Sequence, residues 1–175
     1  EIGERYVDQL EVVLVYRPDR FLRGGDHIPF LKNGFTAVRI TEMNENYTRQ
    51  HQDLKTDKGI EYGDYLKHID FDYLKKNTAV NVAVLANLAN APSLPQKAKM
   101  DTKQLTNSSL LSWEAPVNGK VKGYYLLIRE TNSAVWQKKI FTTEMQLRIP
   151  YSKDNYLFGV QAVSMDGNES GIVSF

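Results

Sequence analysis

The residues best suited to chemistry lie in the first part of the chain, in two polar stretches that contain histidines and acids. Asp26 and His27 are adjacent in the first stretch, and His51 and Asp53 lie close together in the second. Neutral imidazole and carboxylate groups bind catalytic zinc at about 2 Å and leave one position for water. His51 can therefore serve as a zinc ligand oriented by Asp53, although an isolated loop histidine is more often solvated or hydrogen-bonded without a metal.

Motifs of the common enzyme classes are absent from the sequence. It contains no G-x-x-x-x-G-K-[ST], G-x-G-x-x-G, H-E-x-x-H or G-x-S-x-G pattern. It also contains no cysteine, which excludes disulfides, thiolate metal sites and cysteine nucleophiles. The two polar stretches are therefore the main candidates for a functional site.

These stretches resemble a known enzyme family, through Asp26-His27-Ile28-Pro29-Phe30-Leu31 and through residues 42–53, where acidic residues precede His51 and Asp53. They are similar to the zinc-dependent aminopeptidases of the bacterial leucyl aminopeptidase and glutaminyl cyclase superfamily. The resemblance implies that His51 is the last zinc-ligand histidine and that Asp26 hydrogen-bonds toward the catalytic carboxylate. It also implies two zinc ions in the intact enzyme. The family's other ligands and its general base have no counterpart here, so we expect an incomplete site in this chain.

The function that the resemblance implies is removal of N-terminal residues from peptides by a metal-activated water. Because the resemblance covers about the last third of the catalytic domain, we expect a C-terminal fragment that is inactive alone. A first alternative is glutaminyl-peptide cyclisation, although Gln50 stands before His51 where cyclases usually place Trp. A second alternative is a non-catalytic binding module, in which a β-sandwich in the second part of the chain binds protein or glycan.

The elements that must position Asp26 and His51 follow an alternating pattern. Residues 10–16 and 35–40 are short apolar runs that predict buried strands, and residues 26–34 between them predict a short helix that Asp26 can cap and Gly34 can close. Residues 70–89 predict a long helix that is apolar on nearly every position of its second half. This order predicts the last part of a three-layer α/β/α peptidase domain.

A domain boundary is predicted where Pro92 and Pro95 end the helical pattern. We place the peptidase part at residues 1–93 and a second domain at residues 94–175. Charge follows the same division, because the first part carries 12 basic and 14 acidic side chains and the second carries 10 and 7.

The second part alternates apolar and polar residues with a period of two, as in the strands of a β-sandwich. The pattern Leu111-x-Trp113-x-x-Pro116 and the later run Tyr156-x-Phe158-x-Val160-x-Ala162 resemble a fibronectin type III domain. We therefore expect an all-β, immunoglobulin-like sandwich. The resemblance indicates a fold and says little about function.

Composition limits the partners. The 175 residues are 42% hydrophobic and 25% charged with a net charge of +1, which excludes a disordered chain and argues against nucleic acid as a partner. The sequence has no apolar run long enough to span a bilayer. It begins without Met and without signal-peptide features, so we expect a processed or truncated product of an exported protein.

Overall fold

The computed structural model describes residues 2–16 and 24–175. Its chain forms two compact units. The first contains Glu1–Val12 and Thr78–Phe175, and the second contains Val13–Asn77. The predicted division into domains of residues 1–93 and 94–175 concerns sequence families and stays a prediction.

The helices are α1 (Ile2–Tyr6), α2 (His27–Lys32) and α3 (Phe71–Asn90), and a 3-10 turn occupies Leu66–His68. The strands are β1 (Lys55–Asp57), β2 (Ile60–Tyr62), β3 (Gln96–Met100), β4 (Ser109–Glu114), β5 (Val121–Glu130), β6 (Lys138–Thr142), β7 (Gln146–Ile149), β8 (Tyr156–Ser164) and β9 (Val173–Ser174).

The first unit is built around two antiparallel sheets, ordered β3-β4-β7 and β6-β5-β8-β9. The register of the central pair places Leu126 opposite Val160 and Ile128 opposite Phe158. Because side chains alternate between the two faces of a strand, these pairs point to the same side and meet the facing sheet. They form a core with the other residues of the cluster, which are Leu111, Trp113, Tyr124, Ile149 and Ala162. The sandwich predicted for this part is confirmed.

Helix α3 begins where the sequence predicts it. Asp70 accepts a hydrogen bond from the backbone N–H of Tyr73 at 2.9 Å, which satisfies one of the free amides of the first turn. The helix ends at Asn90, just before Pro92. Among the described residues no helix is long and apolar enough to cross a membrane.

The second unit contains α2 and the β1–β2 hairpin. Helix α2 ends in a Schellman motif, in which Phe35 N–H donates to the Phe30 carbonyl at 3.0 Å and Gly34 N–H donates to Leu31 at 3.0 Å. Gly34 has φ +81°, as the motif requires. The helix and its closing glycine confirm the prediction. Asp26 stands at the N-cap, but its carboxylate makes no capping hydrogen bond, so the predicted capping role is wrong.

The two strands predicted at residues 10–16 and 35–40 are also wrong. Both segments lie outside every strand of the described chain, and most of their apolar side chains are exposed, as at Val15 (73%) and Val38 (78%). An apolar run becomes a strand only when neighbouring strands satisfy its N–H and C=O groups. The described residues supply no such neighbours for these segments, so the α/β/α architecture is not shown.

Candidate functional site

The residues around the predicted site line an open depression of about 540 Å³ in the second unit. Its lining residues are Gly24, Gly25, Asp26, His27, Val38, Arg39 and His51. Asp26 and His51, which are 25 positions apart in sequence, thus face the same space. The surface combines a carboxylate, two imidazoles and a guanidinium, which is a set able to hold a polar or charged ligand.

Helix α2 positions the first wall of this depression. Asp26 has helical dihedral angles at the N-cap, and the amide of Ile28 donates to the Gly25 carbonyl at 3.1 Å. Gly25 allows a close approach, because a Cβ there would lie 2.9 Å from Nδ1 of His27 and 3.3 Å from the Arg39 side chain. Because its carboxylate is not used for capping, Asp26 keeps both oxygens for other contacts.

His51 occupies a loop in an uncommon backbone conformation. Its φ is +54°, in the left-handed region that few residues other than glycine adopt, and its side chain is exposed. Such conformations cost free energy and are enriched at functional sites. Gln9, Lys58 and Lys97 share this conformation, so it does not by itself mark His51 as functional.

The carboxylate of Glu45 connects the His51 loop to Arg39, which also lines the depression. Its side chain is 4% exposed. It accepts hydrogen bonds from Gln50 Nε2 at 2.9 Å and from the hydroxyl of Thr41, and Arg39 Nη2 lies 3.4 Å away. Gln50 precedes His51 and Arg39 lines the depression, so Glu45 fixes their relative positions.

The hairpin supports the same loop from the other side. The amide of Gly63 donates to the Thr48 carbonyl at 3.0 Å, and Asn46 Oδ1 accepts from the Thr48 amide at 3.1 Å. A Cβ on Gly63 would lie 2.6 Å from Leu54 and 3.2 Å from the Asp53 carbonyl. Asp53 itself is exposed, and its predicted orienting role toward His51 stays a prediction.

His68 belongs to a separate cluster. Its Nε2 lies 2.6 Å from Oε2 of Glu61, whose other oxygen accepts from Lys67 at 2.7 Å. These contacts with Lys67 and then His68 hold the pKa of Glu61 below its usual value. The histidine ring also packs edge-on against Tyr65. These contacts give His68 a structural role away from the depression.

The described residues do not fit a zinc ion by themselves. Catalytic zinc sites use three protein ligands and a water. No group of three or more His, Asp or Glu residues suitable for a metal occurs in the described chain. The depression supplies one predicted ligand, His51, with Asp26 beside it.

Sequence reasoning missed Arg39 and Glu45. Arg39 interrupts the apolar run at residues 35–40, and a charged residue in a predicted buried strand was the available signal. Glu45 was one acid among several in its stretch, and only the fold distinguishes it as buried.

The β-sandwich is similar to a known domain family and to solved structures. Residues 91–175 match the fibronectin type III domain and form one in this chain. A solved structure described as a myokine is 23% identical and covers 49% of this chain and 96% of its own, with a TM-score of 0.38. The titin kinase with its flanking domains is 21% identical over 47% of this chain and 16% of that one, with a TM-score of 0.40.

The whole chain has curated relatives among fungal proteins. It is 40% identical, over 99% of its length, to a probable zinc metalloprotease of Leptosphaeria maculans. It is 41% identical, over 97% of its length, to a probable zinc metalloprotease of Pyricularia oryzae. The chain spans 40% and 35% of these two relatives. It is therefore homologous to part of proteins that carry this name, in a segment that includes the fibronectin type III domain.

Proposed function

We propose that this chain forms the C-terminal part of a zinc metallopeptidase that removes N-terminal residues from peptides. The observation that carries the proposal is the convergence of Asp26 and His51 on one depression, in a chain whose relatives are named probable zinc metalloproteases. In this proposal His51 supplies one zinc ligand, and Asp26 orients a neighbouring catalytic group. The remaining ligands come from protein outside this chain.

The exposed apolar segments of the second unit support a larger catalytic domain. Residues 13–16 and 35–40 are rich in large apolar side chains that a folded protein usually buries. We propose that the rest of the catalytic domain covers these apolar side chains. The predicted peptidase domain of residues 1–93 depends on this addition.

Peptide hydrolysis is preferred over cyclisation of N-terminal glutamine. Relatives that align along nearly the whole chain carry the metalloprotease name. Gln50, at the position where cyclases usually carry Trp, makes a hydrogen bond with Glu45. An aminopeptidase preference and an exported location remain parts of the proposal.

The test is substitution of His51 in the full-length protein that carries this sequence. His51→Ala should lower zinc content after dialysis and abolish most of the peptidase activity, because loss of a ligand weakens metal binding. His68→Ala is the matched control and should retain zinc, since His68 contacts Glu61 outside the depression. Full zinc content in the His51 variant would show that this residue is an ordinary loop histidine.

A second test uses the chain of 175 residues alone. We expect no aminopeptidase turnover with added zinc and only weak zinc binding, because the described residues lack a group of three ligands. Turnover of aminoacyl substrates by this chain would contradict the proposed division of the site.

A further inference from the structure

The first unit contains a buried carboxylate with two cationic partners from separate parts of the fold. Glu169, in the loop between β8 and β9, is 4% exposed. Arg5 of α1 donates from Nη2 to its Oε1 at 2.9 Å, and Lys139 of β6 donates from Nζ to its Oε2 at 2.6 Å. Each carboxylate oxygen thus has a charged donor, which is the condition under which a buried charge is stable.

Helix α3 contacts the backbone of the same residue. Asn87 is 6% exposed, its Nδ2 donates to the Glu169 carbonyl at 2.9 Å, and its Oδ1 accepts from the Glu169 amide at 3.0 Å. The paired bonds resemble those between adjacent strands and fix both distance and orientation. Helix α1 also packs on α3, because Gly3 is buried and a Cβ there would lie 3.0 Å from Val80.

The loop that carries Glu169 is held firmly on the sandwich. Ser170 exchanges hydrogen bonds with Ala162, since its N–H donates to the Ala162 carbonyl and its Oγ accepts from the Ala162 amide, both at 2.9 Å. Gln161 Nε2 donates to the Ser170 carbonyl at 2.8 Å. These hydrogen bonds fix the position of Glu169 relative to strand β8.

We propose that Glu169 is a latch that fixes α1 and the second half of α3 on the fibronectin type III domain. The helical residues 2–6 and 78–90 then unfold together with the sandwich, although all of them lie outside the residues that match this domain. In this proposal the sandwich stabilises α3, the helix that precedes it in the chain. This inference does not depend on the proposed peptidase function.

The charged and titratable groups near Glu169 lie on α1, β6 and β5. Arg5 of α1 lies beside Tyr6, and Lys139 of β6 lies over the Tyr125 ring of β5 at 4.2 Å from its centre. Helix α3 contributes the neutral Asn87. The contact with Glu169 raises the pKa of Arg5, so this partner remains charged whenever Glu169 is ionised. Protonation of Glu169 therefore weakens its contacts with Arg5 and Lys139, whereas the bonds between Asn87 and the Glu169 backbone do not depend on that charge.

The test is hydrogen–deuterium exchange of the whole chain at neutral pH. Glu169→Gln keeps the size of the side chain but removes its charge, so we expect backbone amides at residues 3–7 to exchange at least about tenfold faster. Amides at residues 78–90 should change less, because Asn87 still bonds to the backbone of residue 169. Glu114→Gln is the matched control, because the exposed pair of Glu114 and Lys97 lies elsewhere on the sandwich and contributes little. Amides in β5 and β8 report whether the variant sandwich remains folded.

Two further variants keep the inference open to refutation if Glu169→Gln unfolds the sandwich. Arg5→Met removes one donor without touching the core, and Asn87→Leu removes the bonds from α3. Each should speed exchange in its own helix while β5 and β8 stay protected. Wild-type exchange rates at residues 78–90 in Asn87→Leu and at residues 3–7 in Arg5→Met would overturn the latch.

Discussion

At the residue scale, Trp113 is a large, enclosed side chain whose loss can be tested. It is 4% exposed and meets Tyr124 and Phe175 edge-on, at ring-centre distances of 5.5 and 5.9 Å. Trp113→Ala should lower the free energy of unfolding by about 3–5 kcal/mol in urea denaturation followed by circular dichroism. Trp136→Ala is the control, because the Trp136 ring is only half-buried and its removal should lower the free energy of unfolding clearly less. Equal losses in the two variants would contradict this description of the core.

Gly123 of β5 tests close packing in the other sheet, against Phe141 of β6. A Cβ there would lie 2.5 Å from the Phe141 ring and 2.7 Å from the Thr142 carbonyl. Gly123→Ala should therefore destabilise the sandwich by about 1–3 kcal/mol, since a strand backbone must move. In Gly171→Ala the new Cβ meets only the end of the Leu94 side chain at 3.0 Å, and its melting temperature should change less. A melting temperature for Gly123→Ala as high as that of the wild type would argue against the contact.

Residue types predicted part of the candidate site. Asp26 and His51 were selected by their chemistry and by family resemblance, and the fold brings both to one depression. Glu45 and Glu169 were not selected, because burial of a carboxylate depends on distant residues such as Arg39 and Lys139. A single sequence shows which groups can ionise, whereas only the fold shows which of these groups are buried away from solvent.

At the element scale, Gly34 controls the C-terminal end of α2. It has φ +81°, and a Cβ added there would meet no atom within 4 Å, so a substitution acts through backbone strain alone. Gly34→Ala should destabilise the local helix by about 1 kcal/mol, and Gly34→Asn by less, because Asn tolerates this conformation. Amide exchange at residues 28–35 measures the effect. Equal exchange in the Ala variant and the wild type would contradict the Schellman end.

Sequence periodicity correctly predicted the elements whose backbone N–H and C=O groups find hydrogen-bond partners within the described chain. Helix α3 satisfies its backbone internally, and strands β4, β5 and β8 find partners within the same sandwich. The apolar runs at residues 10–16 and 35–40 have no such partners among the described residues. The β1–β2 hairpin was missed because its strands are three residues long and mostly exposed, although the turn at Lys58 and Gly59 was a usable signal.

At the scale of the whole molecule, stability should depend on pH through Glu169. Burial raises the pKa of its carboxyl group, but the hydrogen bonds from Lys139 and Arg5 outweigh burial and hold the pKa below its usual value. A carboxyl group with a lowered pKa in the folded state stabilises the protein fully above its unfolded value of about 4.3. This stabilisation is lost as the pH falls through the lower folded value.

The matched measurement is urea denaturation of the wild type and Glu169→Gln between pH 7 and pH 3. The wild type should be the more stable protein at pH 7, because Gln removes the buried carboxylate charge that contacts Arg5 and Lys139. Toward pH 3 the wild-type carboxyl group is protonated and becomes similar to Gln, so the two midpoints should converge. The partly exposed carboxylate of Glu61 also has a lowered pKa, but it contributes equally to both proteins and cancels in the difference. A difference in midpoint that stays constant from pH 7 to pH 3 would mean that the charge of Glu169 does not hold α1 on the sandwich.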